Sequence, residues 1–293
     1  MSVARLDGER LMDGPEILVR SMSKPSVVDQ SGNHWQYHSR SDQHSKVACW
    51  ALLFDLLHYC PLLAQHVAAG KVGFGINHEM RDFKNNRKKY LDLVICTPGS
   101  RQENGHASFH ELVPQYDMRL SASQKKQLAA YPEMKRVTVG SVHLALEAKA
   151  AMTEHVKALP RLFDELNSSH LAIHGSADYA IAAGFALVNF ASTFVSVDRN
   201  KASLPGHAKL VTKHTQPNAT ERTIKKLEEI PRRTQGGVEG FDALGIVVID
   251  LRNDGTPVTI VTRPPAPAPN DVWYYDQMIR RIASLYAAKF GNV

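Results

Sequence analysis

The chain has 293 residues, 43% of them hydrophobic and 22% charged, with a formal net charge of +6. That length and apolar content predict one large domain or two modest ones around a sizeable core, and exclude wholesale disorder. No apolar run reaches the roughly 18–20 residues of a membrane-crossing helix, no apolar leader opens the chain, and three scattered cysteines argue against a disulfide framework. A reducing, cytoplasmic setting is the expectation.

Residues 1–33 have Gly, Pro and Ser interrupting every apolar run, and read as an N-terminal arm or subunit contact. Residues 34–293 read as a single domain. Ser41 or Asp42 can cap a helix running to about His58, apolar nearly all round and therefore central. His44, Ala48, Ala51 and Asp55 share one helical face. Asp55 there either caps something buried or faces a catalytic pocket. Residues 71–78 and 90–96 read as a strand hairpin joined by a long basic loop around Asn85 and Asn86.

Residues 99–135, rich in Ser, Gln, Gly and Lys, read as an insertion with one short helix near 121–130. Residues 137–149 form another strand. A helix over 154–167 follows, with Pro160 kinking it or marking its start, and 167–176 read as a polar loop. Residues 179–197 are one long strand or a strand pair, in which Gly184 permits close helix contact. A charged helix is predicted over 219–230. Residues 244–251 and 257–262 form a hairpin around Asn253-Asp254-Gly255. The Pro-rich run 264–269 is a stiff connector. Asp271 can cap a last helix carrying Trp273, Met278, Ile282 and Leu285. The whole predicts an α/β domain around a mixed sheet flanked by helices.

Two of these strands carry acids. Tyr90–Ile95 contains Asp92, and His143–Lys149 contains Glu147 and Lys149. Strand side chains alternate, so Glu147 and Lys149 point the same way. Two carboxylates suit a hard divalent cation, and an ammonium beside them can orient an attacking water. Lys84, Arg87, Lys88 and Lys89 cluster next to the first acidic strand. Lys157 and Arg161 share a helix face beyond the second. Such clusters are solvated faces or phosphate contacts, and their recurrence beside the acidic strands favours phosphate. No phosphate-binding Gly-Lys-Ser/Thr loop, dinucleotide fingerprint or nucleophile elbow is present. His34 with His38 and His106 with His110 have the spacing of zinc ligands on a helix.

The order of helix, hairpin with Asp92, strand with Glu147-Ala148-Lys149, then helix resembles the PD-(D/E)XK nuclease superfamily over roughly residues 42–197. The residue before Asp92 is Leu91 rather than Pro, and the long gap between the acids requires 99–135 to be an insertion. The resemblance implies a restriction-endonuclease-like fold, with the C-terminal stretch 219–293 as an elaboration. It implies Asp92, Glu147 and the Ala148 carbonyl as ligands of Mg2+, with Mn2+ as a substitute. It also implies Lys149 as the residue that positions water, and Asp55 as an extra catalytic acid. The activity expected is endonucleolytic hydrolysis of double-stranded DNA in restriction or phage defence, by a homodimer or with a defence-system partner. The alternatives are an inactive nuclease-fold DNA-binding subunit and a histidine-rich metal phosphoesterase.

Overall fold

The computed structural model describes residues 12–83, 86–100, 107–153, 155–201 and 203–292. The chain opens with α1 (Asp13–Met22), which buries Ile17, Leu18 and Met22. A small antiparallel pair follows, β1 (Val27–Val28) and β2 (His34–Trp35). Helix α2 (Gln43–Tyr59) is buried at every position from Ser45 to Leu57. That is the placement its all-round apolar sequence demands. After α3 (Pro61–Ala68) come β3 (Gly73–Asp82) and β4 (Arg87–Pro98). Two short helices, α4 (Leu112–Gln115) and α5 (Ala122–Ala130), precede β5 (Val139–Ala151). The Ser121 and Gln124 side chains form a reciprocal capping box that starts α5.

Helix α6 (His155–Ser176) crosses over to β6 (Ile181–Asn189). The minor pair β7 (Thr193–Phe194) and β8 (Thr212–Lys213) leads to α7 (Asn218–Glu228). The chain closes with β9 (Ala243–Asp250), β10 (Thr259–Ile260) and α8 (Tyr275–Lys289). One six-stranded sheet runs in the order β10-β9-β6-β5-β4-β3. Its β3, β4 and β5 are antiparallel, β5, β6 and β9 are parallel, and β10 returns antiparallel. Every residue of β6 is buried, as a near-continuous apolar run predicts for a parallel strand covered on both faces. One face packs Leu93, Ile95, Leu144 and Leu146 with side chains of α1, α2 and α8. The other packs Val94, Ala145, Ala182 and Ala186 with Leu162 and Leu166 of α6 and Ile224 and Leu227 of α7. No described helix is by itself long and apolar enough to cross a membrane.

Several expectations change. The described part of the N-terminal segment, from Met12, is no loose arm, because α1 lies against α2 in the main core. The segment 107–135 is tied to the core as well. Phe109 stacks on Trp50 with ring centroids 4.6 Å apart, and its carbonyl accepts from the Trp50 indole at 2.8 Å. Residues 167–176 are helical, since the Ser168 and Ser169 hydroxyls turn back to the Glu165 carbonyl instead of breaking the helix. Pro160 sits within α6, which begins at His155. The C-terminal stretch joins the main sheet, where β9 lies directly beside β6.

Gly184 makes room for Leu244 and the Phe241 ring rather than for a helix. The close helix contact is at Gly245, where a Cβ would come within 2.7 Å of Met278 Sδ. Asp271 bonds the Trp273 amide ahead of α8, and Tyr274 is the capping position.

Candidate functional site

Backbone irregularity sets the site. The β3/β4 ladder runs from Gly73↔Cys96 to Ile76↔Leu93, skips one position and resumes at His78↔Leu91. The skipped residues are Asn77, whose φ of 53° is left-handed, and Asp92. Across this break the strands exchange faces. Phe74 and Leu93 lie in the α2-side core, whereas Met80 and Leu91 lie in the α6-side core. The β4/β5 ladder also ends here, at Leu93↔Leu146, so Asp92 and Glu147 come one residue beyond its last pair. The Asp92 carboxylate takes the place of a main-chain acceptor: its Oδ2 accepts the Ala148 N–H at 3.0 Å.

Asp92 is engaged from the α2 side. Lys46 Nζ lies 3.2 Å from Oδ1 and also donates to Asn77 Oδ1. Glu147 is engaged from the α6 side. Lys149 Nζ is 2.7 Å from its Oε1 and Lys89 Nζ is 3.7 Å away. Lys149 reaches Glu165 Oε2 on α6 at 3.3 Å, and Lys89 donates to the Glu165 carbonyl at 3.1 Å. Arg161 Nε closes the chain on Glu165 Oε1 at 2.6 Å.

Glu147 is 1% exposed, and its Oε2 is buried without a hydrogen-bond partner. Burial pushes its carboxyl above the ordinary range; Lys149 pulls it down and the nearby Asp92 charge adds to the rise. Burial pulls the Lys149 ammonium down, but Glu147, Glu165 and Asp92 outweigh it and hold the group above its usual value. Glu165 is lowered, because Arg161 and Lys149 outweigh its desolvation. His44, half-buried at the start of α2 within the field of Asp92, is pushed down to about 4 by desolvation and is therefore neutral at pH 7.

The structure thus brings Asp92, Glu147, Ala148, Lys149, Lys89 and Arg161 into one neighbourhood. Asp55 belongs elsewhere. It is fully buried and accepts from the Asp13 and Gly14 amides at 3.1 and 2.8 Å and from the Tyr275 hydroxyl at 2.9 Å. It therefore satisfies the N-terminus of α1, the capping alternative, and is no catalytic acid. Lys88 pairs with Glu79 across the hairpin at 2.9 Å, Arg87 is exposed at the start of β4, and Lys84 lies outside the described residues. Lys157 is exposed near the start of α6. His34 lies on β2 and His38 beyond it, so their spacing is not helical, while His106 is outside the described residues.

Sequence reasoning missed Lys46, Asn77 and Glu165. Lys46 sits two residues after His44 in the first turns of α2, and Glu165 lies one helical turn beyond Arg161. The i, i+4 spacing of Arg161 and Glu165 was an available signal, whereas nothing local marks Lys46 or Asn77.

A metal fits this donor set in a limited way. Among the described residues no three or more His, Cys, Asp or Glu side chains gather as a ready-made cage. Two carboxylates, one with an unpartnered oxygen, do match a cation such as Mg2+, which keeps several waters and shares its remaining positions with substrate phosphate. Compared with protein-family models, curated proteins and solved structures, the chain has no match.

Proposed function

We propose that this chain is a metal-dependent endonuclease of the PD-(D/E)XK type that hydrolyses DNA phosphodiester bonds. The observation that carries the reading is the buried Glu147 carboxylate. It has an unpartnered oxygen, Lys149 at 2.7 Å, and the Asp92-bound Ala148 amide as the next peptide group. The element order supports it as well. A central helix, an antiparallel hairpin bearing Asp92, a third strand bearing Glu147 and Lys149, and a crossover helix to a parallel strand follow one another as the resemblance requires.

Asp92 and Glu147, with the Ala148 carbonyl, would hold Mg2+, which when bound supplies an acidified water and charge neutralisation on the phosphate. Lys149 has three N–H donors. Glu147 and Glu165 take two of them, leaving the third for the attacking water or a phosphate oxygen. Glu165, held by Arg161, fixes the ammonium in that position. Lys89, only 19% exposed at its side chain, adds positive charge beside Glu147. Cutting both strands of a duplex favours a homodimer, and restriction or phage defence is the role that accords best with such an enzyme.

A second reading, a nuclease fold without catalysis, rests on Lys46. Its ammonium already satisfies Asp92 and would have to give way to a cation. Incubating plasmid with the protein, with and without Mg2+, beside Glu147→Gln and Lys149→Ala, separates the two. Mg2+-dependent cleavage lost in both variants supports the enzyme. Duplex binding without cleavage supports the second reading.

A further inference from the structure

A cleft of about 410 Å³ opens between the start of α6, the β8 segment and the first turn of α7. Its lining includes Lys157, Lys213 and Arg222, the Thr215 hydroxyl, and the imidazoles of His155 and His214. No described acid lines it. The floor is fixed. His214 Nδ1 bonds the Ala191 carbonyl at 2.8 Å and its Nε2 meets the Thr153 hydroxyl at 3.0 Å. His155 packs edge-on against His214 with centroids 4.9 Å apart, and its Nε2 donates to the Asn189 carbonyl at 2.9 Å.

That bond makes Nε2 the protonated nitrogen and leaves Nδ1 as a bare acceptor. Nδ1 has no partner although His155 is only 3% exposed. Desolvation, aided by His214, pushes His155 down to about 4, and desolvation lowers His214 too. The rings are therefore neutral at pH 7, and the positive charge of the cleft comes from its lysines and arginine. The first residues of α7 also line it, so the positive end of that helix points the same way.

We infer that this cleft is a phosphate subsite that grips a backbone phosphate of the nucleic acid strand entering the Glu147 site. The cationic lining and the α7 terminus supply the charge, and the Thr215 hydroxyl supplies a neutral donor. The inference rests on the nuclease reading for its strand, and α6 gives the geometry. Lys157 at the cleft and Glu165 at the candidate site are eight residues apart on one helix face. That is about 12 Å at 1.5 Å per residue, or roughly three steps along one strand of B-form DNA at 3.4 Å each. Arg161 lies between them on the same face, paired with Glu165 at 2.6 Å but 84% exposed at its side chain, so one further cation stands between cleft and site.

The test is duplex binding by fluorescence anisotropy across a salt series, using the full chain carrying Glu147→Gln to prevent cutting. It is repeated with Lys213→Ala and Arg222→Ala together, and with Lys125→Ala and Lys126→Ala together as a control on α5. Expected is a plot of log affinity against log salt that is shallower by about 0.9 for the cleft pair, the value for the one phosphate held there, and unchanged for the control. An unchanged slope in the cleft pair overturns the subsite while leaving the nuclease reading intact. If the parent binds no duplex, the strand reading fails by itself. Inorganic phosphate then decides: a rise in unfolding temperature lost in the cleft pair supports a site for free phosphate, and no rise overturns it.

Discussion

Glu147 is the residue on which hydrolysis would depend most directly. It combines burial, an unpartnered oxygen and a lysine in contact, the combination that marks functional carboxylates. Because its carboxyl in the metal-free chain sits above the ordinary range, Mg2+ affinity should rise with pH through a limb lying above the usual glutamate value. A limb at the ordinary value would mean that Glu147 ionises as an exposed acid does. Lys149→Ala should lower cleavage by about 10²–10⁴ while leaving duplex binding intact, as loss of a positioned proton-handling group does. Equal loss of binding would assign Lys149 to phosphate grip instead.

Asp55 is the contrasting residue. Burial pushes its carboxyl up to about 8, against the pull of the Gly14 amide and Tyr275 hydroxyl. Between the unfolded value of 3.8 and about 8 the folded chain keeps a proton that the unfolded chain has released. The stability this proton gives is full at low pH and is lost as pH rises, with a slope approaching about 1.4 kcal/mol per pH unit. Asp55→Asn should therefore be the less stable protein by about 1–3 kcal/mol at pH 5, where a bonded acceptor has been replaced. The difference should close and then reverse by pH 8, because three pH units at that slope approach about 4 kcal/mol. Urea titrations at the two pH values check this, and parallel curves would contradict it.

At the scale of elements, the break at Asn77 and Asp92 positions the site. A left-handed backbone costs a residue with a Cβ roughly 1–2 kcal/mol. Asn77→Gly should therefore be more stable than Asn77→Ala by about 1 kcal/mol in chemical denaturation, although both lose the acceptor for Lys46. Equal stabilities would show that the backbone there relaxes without strain.

The strand acids were legible because alternation puts Glu147 and Lys149 on one side, and α2 was legible from its unbroken apolar run. The ends of elements were not. Arg81, Asp82 and Arg87–Lys89 look like loop residues, yet they extend the hairpin, because Glu79 pairs with Lys88 and Glu165 receives Lys89. The serines after Asn167 look like a stop signal until Glu165 accepts their hydroxyls. Lys46 reads as one polar residue in an apolar helix. Its partner lies 46 positions away, and no local pattern shows that pairing.

At the scale of the whole molecule, one sheet joins both ends of the chain. Helix α8 packs on α2 and β9, and Asp276 accepts the Met12 amide at 3.2 Å. Truncation after residue 230 should remove β9 and α8, uncover the edge of β6 and leave a chain that aggregates or shows no cooperative melt. A soluble, cooperatively melting fragment would mean that the C-terminal stretch is separable after all. The position of the cleft beside α7, on the face opposite α2, agrees with a strand lying along α6.

The pairing of Asp92 with Glu147 around a divalent cation can be measured without any substrate. Mg2+ and Mn2+ are titrated calorimetrically into the full chain, into Glu147→Gln and into Asp92→Asn at constant ionic strength. One saturable site, weakened about tenfold or more in each variant, is the predicted result. Isotherms that coincide for all three proteins would contradict it.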